Sequence, residues 1–526
     1  MTTRRRSARS APGFDRSAYE AELIAFWAEI GEALYAALAG FRDDPGTADI
    51  YERHAVLFEP SAIDGLRAAS EGDTDEARQA RALLTFAVEG NLERRVASLT
   101  DAIETAQARA VIMWRGEPIA YRAAGVRAAA MSDRRERNAF DESVASAVEA
   151  INPLRLQRLD AMRAGLAELG YPDEVSLLSG LHGVDADALA ADLRQFLLES
   201  ETVYYAALRR YLAEIDIEQG DASTADLAHL TRGSAWDSWF DSRRMMTVVT
   251  ATLRGMDIDL SAMDNITLDL DDRPRKSARA FAVAVRVPAD VRLVLKPRGG
   301  HDDYQGTLHE LGHVLHFASV DRRLAPPWKL LGDSSVTEAY AFLLQYLTLE
   351  PAWLQDQLGM TDAEITGWVD FAAFRKLVSL RRYCAKLLYE LRLHHEPDPA
   401  LARAYYAGLL GLLTGVRTPE EPYLADLDDH FYSARYLRAW MLEGSLNAWF
   451  RSRYGDAWWR SPAAGDALRR SWARGQQWTA EQVVAHLGYD RLDWRPVLRQ
   501  IRTLLIGEMS GYGGPNITTR AGTRKV

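Results

Sequence analysis

The stretch Leu308-His309-Glu310-Leu311-Gly312-His313-Val314-Leu315-His316 sets leucines at 308, 311 and 315, with Ala318 following, at the three- and four-residue spacing of one helix face. That periodicity predicts a helix buried along an apolar stripe. The same period puts His309 and His313 one turn apart on a shared face, so that both rings can reach one ion. Zinc takes imidazole and carboxylate ligands tetrahedrally, and a catalytic zinc has three protein ligands and an open position for water. Glu310, beside the first imidazole, is placed to take a proton from that water as general base. His316 falls on nearly the same face, but a fourth protein ligand would close the water position, so packing or support of the ligands is expected of it. The plainer alternative is that His309 and His313 are hydrogen-bonded residues of a buried core helix.

A third ligand is expected from a second helix that crosses nearby, and Glu338, 25 residues after His313, is the obvious donor. Pro326-Pro327 and Gly332-Asp333 mark the loop between the two. Ser335-x-x-Glu338 also matches a capping box, in which the carboxylate would bond the helix N-terminus instead, and the spacing leaves both uses open. Upstream of the motif, Ala280–Val287 and Val291–Leu295 are rich in β-branched residues and flank Pro288-Ala289-Asp290, a strand pair. Gly299-Gly300 then releases the chain into a helix near Asp303, and helical patterns continue to about Leu505. From about Ser17 to Gly220 the pattern is Ala/Leu/Glu/Arg-rich and helical, broken by turn signals at Asp44-Pro45-Gly46, Asn152-Pro153 and Gly170-Tyr171-Pro172. The expected fold is mainly α, with one small β-sheet next to the active-site helix. Its organisation is a flexible basic tail (1–16), an N-terminal helical lobe (17–225), a zinc-binding catalytic region (226–506) and a flexible tail (507–526).

The length of 526 residues suits two to four packing units or one large lobed body. With 48 % hydrophobic and 26 % charged residues, most of the chain is expected to fold. A formal net charge of -11 argues against a general nucleic-acid binder, because phosphate recognition draws on basic surface. Cys384 is the only cysteine, so an intrachain disulfide and a cysteine-rich zinc site are both excluded. Arg4, Arg5, Arg6 and Arg9 are followed by no apolar run of a secretory signal, and no stretch is apolar enough to span a membrane. A cytoplasmic location is expected; the sequence carries no signal of oligomeric state.

These residues resemble the thimet oligopeptidase and oligoendopeptidase F family of zinc peptidases. The likeness rests on His309 to His316 with its Gly312, on Glu338 at the family's spacing, and on Asp429-His430-Phe431-Tyr432-Ser433-Ala434-Arg435-Tyr436. It implies one zinc per chain held by His309, His313 and Glu338. It also implies that His430 and Tyr436, with Tyr432, face the metal and stabilise the oxyanion of a tetrahedral intermediate. Its fold would be a two-lobed helical ellipsoid with a deep substrate channel, where a strand edge pairs with extended peptide. The implied activity is hydrolysis of short unstructured peptides at internal bonds. The sequence departs from the family where Leu437-Arg438-Ala439-Trp440 is less tyrosine-rich and where Ser277-Ala278-Arg279 replaces an expected glycine. Two alternatives stand beside this reading. One is a zinc carboxypeptidase using Arg435 or Arg438 for the terminal carboxylate; the other is a helical zinc protein that binds a dedicated peptide without cutting it.

Overall fold

The computed structural model describes residues 14–42, 44–395 and 398–506. Of the two expected tails, residues 1–13 and 507–526 lie outside the described residues. Side-chain caps start the long helices of the N-terminal half and one short one, each supplying an oxygen to backbone N–H groups that have no partner within the first turn. Asp15 caps α1 (Arg16–Leu38), Thr74 caps α2 (Asp75–Arg109), Asp133 caps α3 (Arg134–Glu168) and Asp173 caps α4 (Glu174–Leu181). The break expected at Asn152-Pro153 does not occur, because α3 runs through Pro153. A proline inside a helix removes one ladder bond and crowds the preceding turn. Here Arg155 donates to the carbonyl of Val148 and to the side chain of Asn152, which in turn donates to the backbone carbonyl of Glu421, so side-chain bonds brace the helix across the proline.

The protein is mainly helical. Its second half contains α5 (His301–Ala318), α6 (Ser334–Gln345), α7 (Asp362–Leu393) and α8 (Tyr432–Tyr454). The expected small sheet is present, and the chain carries a separate hairpin besides. A two-stranded hairpin, β1 (Val111–Trp114) and β2 (Glu117–Ala120), interrupts the N-terminal helices. Its turn is Arg115-Gly116, both at positive φ, the two-residue connection whose twist matches antiparallel strands. The expected strand pair is present as β4 (Phe281–Arg286) and β5 (Asp290–Val294), antiparallel, and β3 (Ile266–Asp269) joins β5 in parallel. The order β3-β5-β4 leaves β4 at the edge.

Two hydrophobic cores account for most of the buried apolar residues. The smaller is built largely from α1, α2 and the segments between them, with Leu23, Phe26, Phe58, Leu83, Val88 and Leu92 at its centre. The larger runs from Leu178 to Ile501 and holds the stripe Leu308, Leu311, Leu315 and Ala318 of α5. The changeover between cores therefore falls near Leu178, and the segment up to residue 225 packs with the second half. A cavity of about 930 Å³ lies where residues of α1 and α2 face α5, α6, α8 and β4.

Candidate metal centre

The apolar stripe of α5 sinks into the core and leaves His309 and His313 on the side that meets α6. Gly312 decides how closely the two helices approach. A Cβ there would stand 2.5 Å from Cα of Ala341 and 2.8 Å from the carbonyl oxygen of Tyr340, well inside contact distance. The missing side chain lets α6 press against α5 and carries Glu338 to the imidazoles. Oε2 of Glu338 lies 3.3 Å from Nε2 of His309 and 3.5 Å from Nε2 of His313. These are contacts without hydrogen-bond alignment, and Oε2 is buried with no hydrogen-bond partner. The capping-box alternative is settled by geometry: α6 is capped by Asp333, whose side chain accepts from Ser335, while Glu338 is turned to the histidines.

The residues fit zinc. With metal–ligand bonds of about 2.0–2.1 Å, a tetrahedron has edges near 3.3–3.4 Å, close to the separations seen here. Among the described residues, His309, His313 and Glu338 are the group whose ligand atoms converge in this way, all within 4.8 Å of one another. The far nitrogen of each ring is already engaged, Nδ1 of His309 with Oε1 of Gln345 and Nδ1 of His313 with Oγ1 of Thr337, both at 2.9 Å. Such partners fix ring orientation and leave Nε2 for the ion. Tyr432 donates to Oε1 of Glu338 at 2.6 Å, which orients the carboxylate and leaves Oε2 facing the rings.

The three side chains are electrostatically coupled. Burial alone would raise the carboxyl pKa of Glu338, but the imidazoles of His313 and His309 outweigh it and hold Glu338 ionised. Burial disfavours charge on His313, and Glu338 with Glu310 more than offsets it, so its pKa is raised. Burial drives the Glu310 carboxyl above the ordinary range, and the two imidazoles and the Ala282 amide reverse only part of the effect. Oε2 of Glu310 accepts from the backbone N–H of Ala282 at 2.9 Å, so edge strand β4 aims the carboxylate. His316 stays out of the cluster. It is fully buried, its Nε2–H reaches the carbonyl of Gly475 at 3.2 Å, and burial pushes its pKa down to about 3, so it is a neutral packing residue.

Tyr432 and Tyr436 line the cavity with His309, Glu310, His313 and Glu338. Tyr436 packs against Phe342 and Tyr383, and burial keeps its phenol protonated, as it does for Tyr432. The expectation for His430 is corrected: it is not among the residues that line the cavity. His430 and Phe431 both adopt left-handed backbone conformations at φ 52, which turns the chain just before α8. The imidazole enters a group of carboxylates, with Nε2 3.2 Å from Glu93 and Nδ1 3.4 Å from Glu174. Burial would lower its pKa, yet Glu89, Glu174 and Glu93 raise it well above the usual value. Three acids of α2 and α4 thus favour the protonated ring where it lies, although neither ring nitrogen makes an aligned hydrogen bond.

The cationic candidates for a terminal carboxylate are also engaged. Arg438 is buried and bonds Asp333 through two nitrogens, together with Glu481 and Ser335. Arg435 pairs with Glu89 at 2.9 Å. Thr337, Gln345 and the Ala282 amide escaped the sequence reading. A usable signal existed for two of them, because Thr337 adjoins Glu338 and Gln345 lies two turns further along the same helix face. A scan of protein-family models and a search of curated proteins return no match to the chain.

Proposed function

We propose that this chain is a zinc peptidase that cleaves internal bonds of short, unstructured peptides in the cytoplasm. The observation that carries the reading is the partly buried carboxylate of Glu310, aimed by β4 beside three convergent candidate metal ligands inside the large cavity. Zinc held by His309, His313 and Glu338 would supply a Lewis acid that polarises the scissile carbonyl and acidifies water. Glu310, its pKa raised by burial, takes the proton from the attacking water and returns it to the leaving amine. The Tyr436 hydroxyl, protonated and in the same cavity, donates to the oxyanion. Tyr432 orients Glu338. A cavity of about 930 Å³ suits a peptide segment and not a folded domain. The likeness of His309–His316, Glu338 and Tyr432–Tyr436 to oligoendopeptidase F points the same way.

The carboxypeptidase alternative loses ground because Arg435 and Arg438 already carry acidic partners. A purely structural zinc gives no account of Glu310, an acid that ligates nothing yet lines the cavity. No helix among the described residues is long and apolar enough to cross a membrane. The test is incubation of the zinc-loaded protein with a diverse peptide library, read by mass spectrometry beside Glu310→Gln. Internal cuts by the parent, reduced by about 10²–10⁴-fold in a variant that still binds zinc, are expected. A zinc-loaded parent that cuts no peptide would end the proposal.

A further inference from the structure

The side of α2 that lines the cavity consists of Arg78, Arg81, Ala82, Thr85, Phe86 and Glu89, one helix face in three- and four-residue steps. Its two ends differ. Glu89 is paired with Arg435, whose guanidinium lies 5.6 Å from the ring centre of Tyr432, the residue that bonds Glu338, so this end adjoins the metal ligands. The other end is cationic. Arg81 donates only to the carbonyls of Ser70 and Gly72, and among the described residues no carboxylate lies within 4.0 Å of it. Arg78 has one acid partner, Asp75 at 2.9 Å, itself half-exposed and also bonded by Gln79, while Nε of Arg78 is buried with no hydrogen-bond partner. Its guanidinium lies 6.0 Å from the ring centre of Trp328 in the same cavity. Arg435 and Arg438, by contrast, are neutralised by Glu89, Asp333 and Glu481.

We propose that Arg78 and Arg81 form a carboxylate-binding subsite at the end of the cavity remote from the metal ligands. It rests on the peptidase reading and names a substrate class for it, peptides that carry an acidic group at a set distance from the scissile bond. At a helix rise of 1.5 Å per residue, Arg81 and Arg78 stand about 12 and 16 Å along α2 from Glu89. An extended peptide covers that distance in roughly four or five residues. A carboxylate one residue from the bond does not reach, so the subsite fits an oligopeptidase and not a carboxypeptidase. Guanidinium groups bind carboxylates through charge-assisted, often paired hydrogen bonds, and the wall of the cavity limits competition from water.

The experiment uses the zinc-loaded Glu310→Gln protein, in which cutting is slowed about 10²–10⁴-fold, and fluorescence anisotropy of labelled ten-residue neutral peptides. One set ends in a free carboxylate, a second in an amide, and a third is amidated with a single Glu moved along the chain. A free acid, or Glu within one window of positions, binding about tenfold tighter than the neutral amide is the expected result. Preference for the free acid alone assigns the chain terminus as the ligand; preference for placed Glu alone assigns an acidic side chain. Adding Arg81→Gln removes the preference and leaves the neutral peptide's Kd unchanged, which also reports an intact fold, and Arg81→Lys retains part of it. Equal binding of acidic and neutral peptides overturns the subsite and leaves the peptidase reading standing. A preference that survives Arg78→Gln with Arg81→Gln overturns it too, and failure to bind any peptide removes both proposals.

Discussion

Two clusters in this protein are made from the same residue types and behave oppositely. Around His309 and His313 one carboxylate meets two imidazoles, each ring nitrogen away from it is tied to a neutral partner, and one buried carboxylate oxygen is left unbonded. Around His430 the arrangement is reversed: Glu89, Glu93 and Glu174 all act on its imidazole and raise its pKa, so the site favours a proton, while His182 and His394 also contact Glu89 and Glu174. The first arrangement suits a divalent ion; the second is an ion pair cluster that ties α2 and α4 to the start of α8. What separates them is direction and not composition: two Nε2 atoms converge on one carboxylate oxygen in the first, and carboxylates converge on one ring in the second.

The contrast is easiest to break at His430. Because its folded pKa is raised above an unfolded value near 6.5, the stability it contributes is fully present below that pH and is lost as pH rises through the folded value. His430→Gln removes the cation among Glu89, Glu93 and Glu174, leaving the buried Glu174 only His394 as an ion-pair contact, and is expected to cost about 3 kcal/mol at pH 6. Denaturant unfolding should show the gap to the parent narrowing at alkaline pH, with zinc content unchanged. A gap independent of pH, or loss of zinc, would remove the distinction between the clusters.

At the metal centre, Glu338→Gln keeps the shape and deletes the anion. Zinc affinity, followed by competition with a chelator, is expected to fall by more than the roughly hundredfold that outer partners cost. An unchanged affinity would mean that Glu338 is no ligand. Gly312→Ala should destabilise the protein by about 1–3 kcal/mol, because the new methyl group collides with backbone of α6. It should weaken zinc binding as well, since it separates the ligands' two helices, and a neutral result in calorimetry would show that they can part freely. The smallest effect is expected of Thr337→Val, about tenfold in zinc affinity through loss of the His313 Nδ1 partner. If chelator competition cannot tell it from the parent, the ring is oriented by packing alone.

Local periodicity made α5 legible, with its buried stripe and its two imidazoles on one side, and the β4–β5 pair was readable from β-branched runs around Pro288-Ala289-Asp290. The β1–β2 hairpin was also written in the chain, as Val111-Ile112-Met113-Trp114 ahead of Arg115-Gly116, but is short enough to be lost among helices. Pro153 misled, because side-chain bonds of Asn152 and Arg155, one of them to the distant backbone carbonyl of Glu421, brace the helix across it.

By itself the sequence determined which residues share a helix face, since that depends on a period of a few residues, and it named His309, His313 and Glu310 on that basis. Only the tertiary structure turned Glu338 from the N-terminus of its helix to the two imidazoles and placed His430 among carboxylates. The first choice depends on the approach of α6 to Gly312, and the second on carboxylates at positions 89, 93 and 174, more than 250 residues away in the chain. Contacts at such separation leave no local pattern, because they are set by how whole helices pack and by where a buried charge finds its partners.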